Sequence, residues 1–478
     1  MLKQFDEMLG DLAMSPVDLA PRRFGRVTAC DGGLIEVSGL SVPIGGLCRI
    51  DDGKGAMLTA EAIGFRNGRT MMMMLGDSVL LRPGVPVRPE GRPGMLPVGP
   101  AYLGRAVDGL GQPIDGGSPL RCMAEWPAGG KRTGALDRAS VREPFDTGIR
   151  AINALTTLGI GQRVGIMAGS GVGKSVLIDM IASEAEAEIV VVGLIGERAR
   201  EVSDFVARHM NGEAAARTAV VAVPADHAAN LRLRGALLAT SLAEYFRAQG
   251  RRVLLIQDSL TRIAHAAREI GILLGEPGAA RGYPPSALST VTKLVERAGN
   301  SAESGGSITA IYTVLADGDD QNDPVVDTAR SILDGHIVLS RELAQRGQYP
   351  AIDVGASLSR VMSDVVPPEQ AALARRFRAL VGDEEGLDQV AVVVVRLAQL
   401  DVRRQPPREL DQPVAFTPYE ENRDLVLMGA YRAGADPVID RGIALQPRIA
   451  AFLSQEVGEH VSLARALGHL EQLIGNDG

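Results

Sequence analysis

Ala168-Gly169-Ser170-Gly171-Val172-Gly173-Lys174-Ser175 follows the apolar run Arg163 to Met167 and precedes the helical pattern Val176 to Ala182. Glycines let successive backbone N–H groups turn inward toward an anion, and the helix that follows presents its N-terminus to the same point. A lysine at this spacing reaches the β- and γ-phosphates of a nucleotide, and the serine hydroxyl after it can bind Mg²⁺. The spacing is that of a P-loop, with Ala168 in place of the usual first glycine. Gly169, Ser170, Gly171, Val172, Gly173, Lys174, Ser175 and Val176 are the expected nucleotide cradle, and Lys174 is its catalytic lysine.

Working outward, short apolar runs alternate with helical patterns from Ala101 to Val366, as βαβ units on a mostly parallel sheet would. The central strands are expected at Arg163 to Met167, Ile189 to Ile195, Val220 to Val223, Val253 to Gln257 and Ile308 to Val314. None shows polar alternation, which fits strands covered on both faces. From Phe24 to Arg88 the pattern changes to short alternating strands such as Leu34-Ile35-Glu36-Val37, punctuated by glycine turns, and predicts a small β-barrel. Within it, Met71 to Met74 reads as a buried strand rather than a metal site. Pro83 to Pro100 reads as a linker. Leu2, Phe5, Met8, Leu9 and Leu12 recur at helical spacing and predict an amphipathic arm ahead of the barrel. Beyond Pro367, helical patterns at Gln370 to Val381 and Glu420 to Tyr431 flank a stretch rich in valine and then proline, and the tail from Pro437 to Ile474 is helical again.

At 478 residues the chain has room for two or three domains, and 45% hydrophobic with 23% charged residues is a globular composition. A net charge of −8 and only 4% aromatic residues argue against a nucleic-acid groove, which needs a basic surface and stacking rings. Cys30, Cys48 and Cys122 are isolated, without metal-ligand spacing, and read as buried thiols in a reducing compartment. No run of 18 apolar residues and no signal-peptide pattern occurs, so the expected location is the cytoplasm.

Two further elements bear on the chemistry. Val253-Leu254-Leu255-Ile256-Gln257-Asp258 ends an apolar strand in a carboxylate, a Walker B pattern in which Asp258 would hold Mg²⁺ directly or through water. The strand ending at Ile195 runs into Gly196-Glu197-Arg198. Carboxyl ends of parallel strands face the ligand crevice, so Glu197 would project toward the nucleotide and polarise the attacking water. Arg198 would steady phosphate oxygens or Glu197 itself.

These motifs, together with Asp258-Ser259-Leu260-Thr261-Arg262, Gly282-Tyr283-Pro284-Pro285-Ser286, Leu294 to Gly299 and Ile332 to Arg341, resemble the export ATPases of type III secretion systems, relatives of the rotary ATP synthase subunits. The resemblance implies an α/β chain with an N-terminal β-barrel (23–95), a central RecA-like P-loop domain with a mostly parallel sheet (96–366) and a C-terminal helical domain (367–478). The arm would occupy 1–22, and about 382–418 looks like an insertion relative to the family. The resemblance further implies Mg²⁺-dependent ATP hydrolysis in a homo-hexameric ring. In it Arg360, in Asp353 to Arg360, would be an arginine finger for the neighbouring site, and Tyr349 would stack on adenine. Implied partners are a stator protein held by the arm, the export gate at the inner membrane, chaperones and cargo, with no nucleic acid. Segment Arg150 to Leu155 and the arm resemble the flagellar branch; the injectisome branch and an ATP synthase catalytic subunit are the alternatives. Glu197 argues against a non-catalytic subunit, because regulatory subunits of the superfamily tend to lack that carboxylate.

Overall fold

The computed structural model describes residues 24–31, 33–51, 57–76, 81–122, 124–131, 134–315, 323–381 and 437–474. The expected arm, the insertion at about 382–418 and the helix at Glu420 to Tyr431 lie outside the described residues. Two compact units are present, Met1–Gly94 and Met95–Gly478.

In the first unit six antiparallel strands close into a barrel, in the order Gly25–Asp31, Leu34–Ser38, Arg69–Met74, Met57–Arg66, Leu47–Asp51 and Pro86–Glu90. Alternation makes this possible: Ile35 and Val37 point inward from one strand, Cys48 and Ile50 from another, and Met72 and Met74 join them in one core. The methionine run is thus a buried strand, as read. The segment expected as a linker differs. Pro86–Glu90 is the strand that closes the barrel, and Met95–Val98 pairs with Ala124–Pro127 in the second unit. The prolines hid a strand because the closing seam needs few hydrogen bonds: Pro86–Glu90 meets Gly25–Asp31 through only two residue pairs. The thiols also differ from expectation. Cys48 is buried, but Cys30 is exposed and Cys122 only half-buried, and all three are free. Burial pushes the Cys48 thiol up to about 11, so it stays protonated.

The second unit is built on a sheet whose main path runs Ile352–Ser359, Gly335–Leu339, Arg163–Ala168, Ser307–Leu315, Arg252–Asp258, Ile189–Ile195, Thr218–Val223 and Arg105–Val107. All neighbours along this path are parallel except the first pair. Ile189–Ile195 and Thr218–Val223 are buried at every position, which accounts for their unbroken apolar runs. Among the described residues, the helices Pro368–Val381, Pro437–Leu453 and Leu463–Ile474 pack into this unit's core: Phe377, Phe452 and Leu470 belong to the same buried cluster as Ile166 and Val192.

The motif Leu294 to Gly299 has a structural explanation. Arg297 and Glu244 form an ion pair at 2.8 Å with side chains only 8% and 2% exposed. Glu244 Oε2 also accepts from the indole N–H of Trp126 at 2.7 Å, and Arg297 donates to Ala128 O at 2.7 Å and Ser241 Oγ at 2.8 Å. A buried pair whose partners are saturated is tolerated, whereas removing one member strands the other charge. Glu244→Ala is expected to lower the stability of this unit by about 3–5 kcal/mol. Trp126, the sole tryptophan, reports it as a lower urea midpoint in fluorescence unfolding.

Candidate active site

Three strand ends meet at one pole of the sheet. Arg163–Ala168 leads into the cradle, Ile189–Ile195 into Glu197, and Arg252–Asp258 terminates in its carboxylate. The cradle turns through Gly171 and Gly173, at φ of 78° and 87°, a left-handed conformation that side chains resist. Gly173 then caps the helix Lys174–Glu184, so the loop's N–H groups and the helix N-terminus converge on one point. A cavity of about 650 Å³ opens there, lined by Gly169, Ser170, Gly171, Gly173, Lys174, Ser175 and Val176 of the cradle and by Glu197 and Arg198 opposite. Val172 belongs to this loop through its backbone alone, because its side chain is buried in the sheet's core.

The Lys174 ammonium lies 2.5 Å from Asp258 Oδ1 and 3.4 Å from Glu197 Oε1, all three side chains nearly buried. Thr313, on the strand between the cradle strand and the Asp258 strand, donates its hydroxyl to the same Asp258 oxygen at 2.5 Å. Burial alone would lower the lysine's pKa, but Asp258 and Glu197 together outweigh it and hold the ammonium above its ordinary value. Glu197 moves the other way: burial and then the charge of Asp258 push it up to about 7, against the pull of Lys174. Its Oε1 is buried and meets only the Lys174 ammonium, as an ion pair at 3.4 Å rather than a well-formed hydrogen bond. A carboxylate so placed can accept a hydrogen bond from a water that arrives with a substrate.

Tyr349 sits at the cradle: a β-carbon at Gly173 would come within 3.3 Å of its ring atoms Cδ1 and Cε1, and the residue is 44% exposed. Arg198 lines the cavity, but its guanidinium is 84% exposed and its ion-pair partner is Glu201 at 3.8 Å, not Glu197. Arg360 is at the other pole. Its backbone N–H donates to Asp334 O, and Asp334 N–H in turn donates to the O of Arg163, the first residue of the cradle strand. That strand spans about 16 Å at roughly 3.3 Å per residue, more than an arginine side chain can reach, so Arg360 does not serve the cradle of its own chain. Its guanidinium is exposed and bonds Arg330 O at 3.2 Å.

Two cationic groups that the sequence reading left among the motifs, Arg262 and Arg341, also line the cavity. Arg262 can approach because Gly196, at φ 76°, has no side chain: a β-carbon there would lie 2.7 Å from Arg262 Cβ. Their signal was positional, since each follows within four residues of a strand that ends at this pole. Thr313 carried no such signal, being one of nine consecutive residues of an apolar strand.

A parallel sheet, a glycine cradle with its lysine and two carboxylates on neighbouring strand ends define a P-loop nucleoside triphosphatase. The ATP synthase alpha/beta nucleotide-binding domain matches residues 148–359, and the T3SS EscN ATPase C-terminal domain matches 415–472. A flagellum-specific ATP synthase of Salmonella typhimurium is 42% identical over 99% of this chain and 98% of its own length. A type 3 secretion system ATPase of Xanthomonas euvesicatoria is 40% identical over 91% of this chain and 90% of its own. Among solved structures, the assembled ATPase EscN from the type III secretion system of enteropathogenic E. coli superposes with a TM-score of 0.78 at 36% identity, covering 94% of this chain and 99% of that one. The chain belongs to the ATP synthase alpha/beta family, in its type III export ATPase branch. It is an ATPase.

With Glu197 as the water-orienting carboxylate, which must be ionised to accept that hydrogen bond, its raised pKa of about 7 predicts an acid limb of activity near pH 7. The expected kcat/KM for ATP rises with pH through about 7, and an acid limb below pH 5 would exclude Glu197 as the group observed. Glu197→Gln is expected to retain nucleotide binding while turnover falls by about 10²–10⁴, read by nucleotide titration beside a phosphate-release assay.

Proposed function

We propose that this chain is the ATPase of a flagellar type III export apparatus, active as a homo-hexameric ring whose catalytic sites are completed between subunits. The observation that carries the reading is the separation of Arg360 from its own cradle. Lys174, Glu197 and Asp258 converge at one pole, while Arg360 stands exposed at the other. A ring of identical subunits supplies Arg360 to the neighbouring cradle. The flagellar assignment is supported by flagellum-specific relatives, including one of Bacillus subtilis 37% identical over 95% of this chain.

In the proposed mechanism ATP phosphates enter the cradle and replace the carboxylates as partners of the Lys174 ammonium. Ser175 and Asp258 line a common side cavity with Glu197. One hydroxyl and one carboxylate, completed by phosphate oxygens, form a donor set that fits Mg²⁺. When bound, the cation neutralises charge on the β- and γ-phosphates. Glu197, released from Lys174, orients the attacking water through the Oε1 that the ammonium leaves. The Tyr349 ring covers the adenine. Arg198 acts at the rim, from where its side chain would have to swing in. Arg360 of the neighbouring subunit stabilises the transferred phosphoryl group, a contribution of about 10³–10⁵ in rate, or roughly 4–7 kcal/mol. No described helix is long and apolar enough to cross a membrane, in keeping with a cytoplasmic ring docked peripherally at the inner membrane. Stator, export gate, chaperones and cargo are its proposed partners.

ATPase specific activity is expected to rise steeply with protein concentration, in step with hexamer formation measured by light scattering. Arg360→Ala is expected to keep the ring but lose about 10³-fold or more in turnover. Concentration-independent activity that survives Arg360→Ala would exclude the ring mechanism, and activity only after adding a second kind of chain would favour the synthase reading. In cells whose own gene is disrupted, restored swimming separates the flagellar from the injectisome assignment.

A further inference from the structure

Gln455, which no motif singles out, bonds to Tyr349, the residue whose ring lies against Gly173 of the cradle. It is 7% exposed and lies in the segment 454–462, which joins the helices Pro437–Leu453 and Leu463–Ile474. Its backbone N–H and both polar atoms of its side chain are engaged. Its backbone N–H donates to Tyr349 O at 2.8 Å. Its side-chain Oε1 accepts from Arg150 N–H at 2.7 Å, and Nε2 donates to Gly148 O at 2.8 Å and to Glu459 O at 2.6 Å. The Arg150 guanidinium grips the same segment, donating to Ala451 O at 3.1 Å, Ser454 O at 3.0 Å and Glu459 Oε1 at 2.5 Å. Gly148 is itself tied to the cradle helix, because a β-carbon there would strike Glu184 Cβ at 2.4 Å.

Tyr349 is thus held from its carbonyl side by a residue of the C-terminal helical segment, and that residue is anchored to the loop packed on the end of the cradle helix. We propose that Gln455 is a positioning residue for nucleotide binding: it fixes the backbone of Tyr349 so that the ring stands over Gly173 as the wall of the base site. This rests on the reading of Tyr349 as the adenine-stacking residue. It makes recognition of the base, but not of the phosphates, depend on how the C-terminal helices are seated. No hydrogen bond joins Gln455 to Lys174, Ser175 or the cradle N–H groups.

The test compares Mg·ATP with Mg·tripolyphosphate, which has the phosphates and no base, in the full-length chain. Gln455→Ala and Tyr349→Ala are each expected to raise the KM for ATP at least about fivefold, the low end for loss of a base–aromatic stack. The kcat should stay within about twofold, and the inhibition constant of tripolyphosphate should be unchanged. Combining the two substitutions is expected to add little, because one removes the ring whose placement the other disturbs. Gln455→Glu keeps the shape and the acceptor for Arg150, and replaces Gln455→Ala if that variant does not fold. Equal losses for ATP and tripolyphosphate, or additive effects in the double variant, would overturn the proposal in favour of a general packing role. A Tyr349→Ala variant with unchanged KM would overturn the stacking reading and the proposal with it. A weakened Tyr349→Ala beside unaffected Gln455 variants would overturn only the strut.

Discussion

The ion cluster of Lys174 with Asp258 and Glu197 is the constraint around which this unit is arranged. An ammonium at 2.5 Å from one carboxylate and 3.4 Å from another, all nearly buried, can exist only if each charge is matched by the others. Two carboxylates facing one lysine leave an excess of negative charge, and that excess, added to burial, keeps Glu197 hard to ionise. The same arrangement stores the response to substrate. In the proposed mechanism the negative charge of a triphosphate would take over Lys174, and Asp258 and Glu197 would then be free to hold a cation and to orient a water.

Geometry follows from the sheet. Parallel strands place all their carboxyl ends at one pole, so three separate stretches of sequence deliver the cradle, Glu197 and Asp258 to within a few ångströms. The strand lying between two of them contributes Thr313, whose hydroxyl fixes Asp258. The final strand, Ile352–Ser359, runs antiparallel and carries Arg360 away to the opposite pole. That single reversal is what divides the catalytic residues between subunits in the proposed mechanism.

The strands of the second unit were legible because burial on both faces leaves no polar alternation, and the cradle because few arrangements of glycine, lysine and serine bind phosphate. The barrel was legible in its inward-pointing Ile35, Val37, Met72 and Met74. Its closing strand was not, since Pro86 and Pro89 signal a break in any local reading, yet Pro86 falls in the two-pair seam with Gly25–Asp31 and Pro89 opposite Cys48 on the other edge. Arg198 was given a role from its neighbour in sequence, yet a strand end sends adjacent side chains in different directions, and this one points to solvent beside Glu201. Thr313 and Gln455 act on Asp258 and Tyr349, which lie 55 and 106 positions away, respectively, and no local pattern marks either residue.

The central claim is that one catalytic site draws Glu197 from one subunit and Arg360 from the next, and mixing two inactive variants tests it most directly. Glu197→Gln and Arg360→Ala chains, each nearly inactive alone, are combined in equal amounts under conditions that exchange subunits, with mixed rings verified by a size or affinity tag. Complementation between subunits predicts that activity appears on mixing, up to about a quarter of wild type for random assembly of a closed ring. Mixed rings no more active than the separate variants would contradict a site shared between subunits.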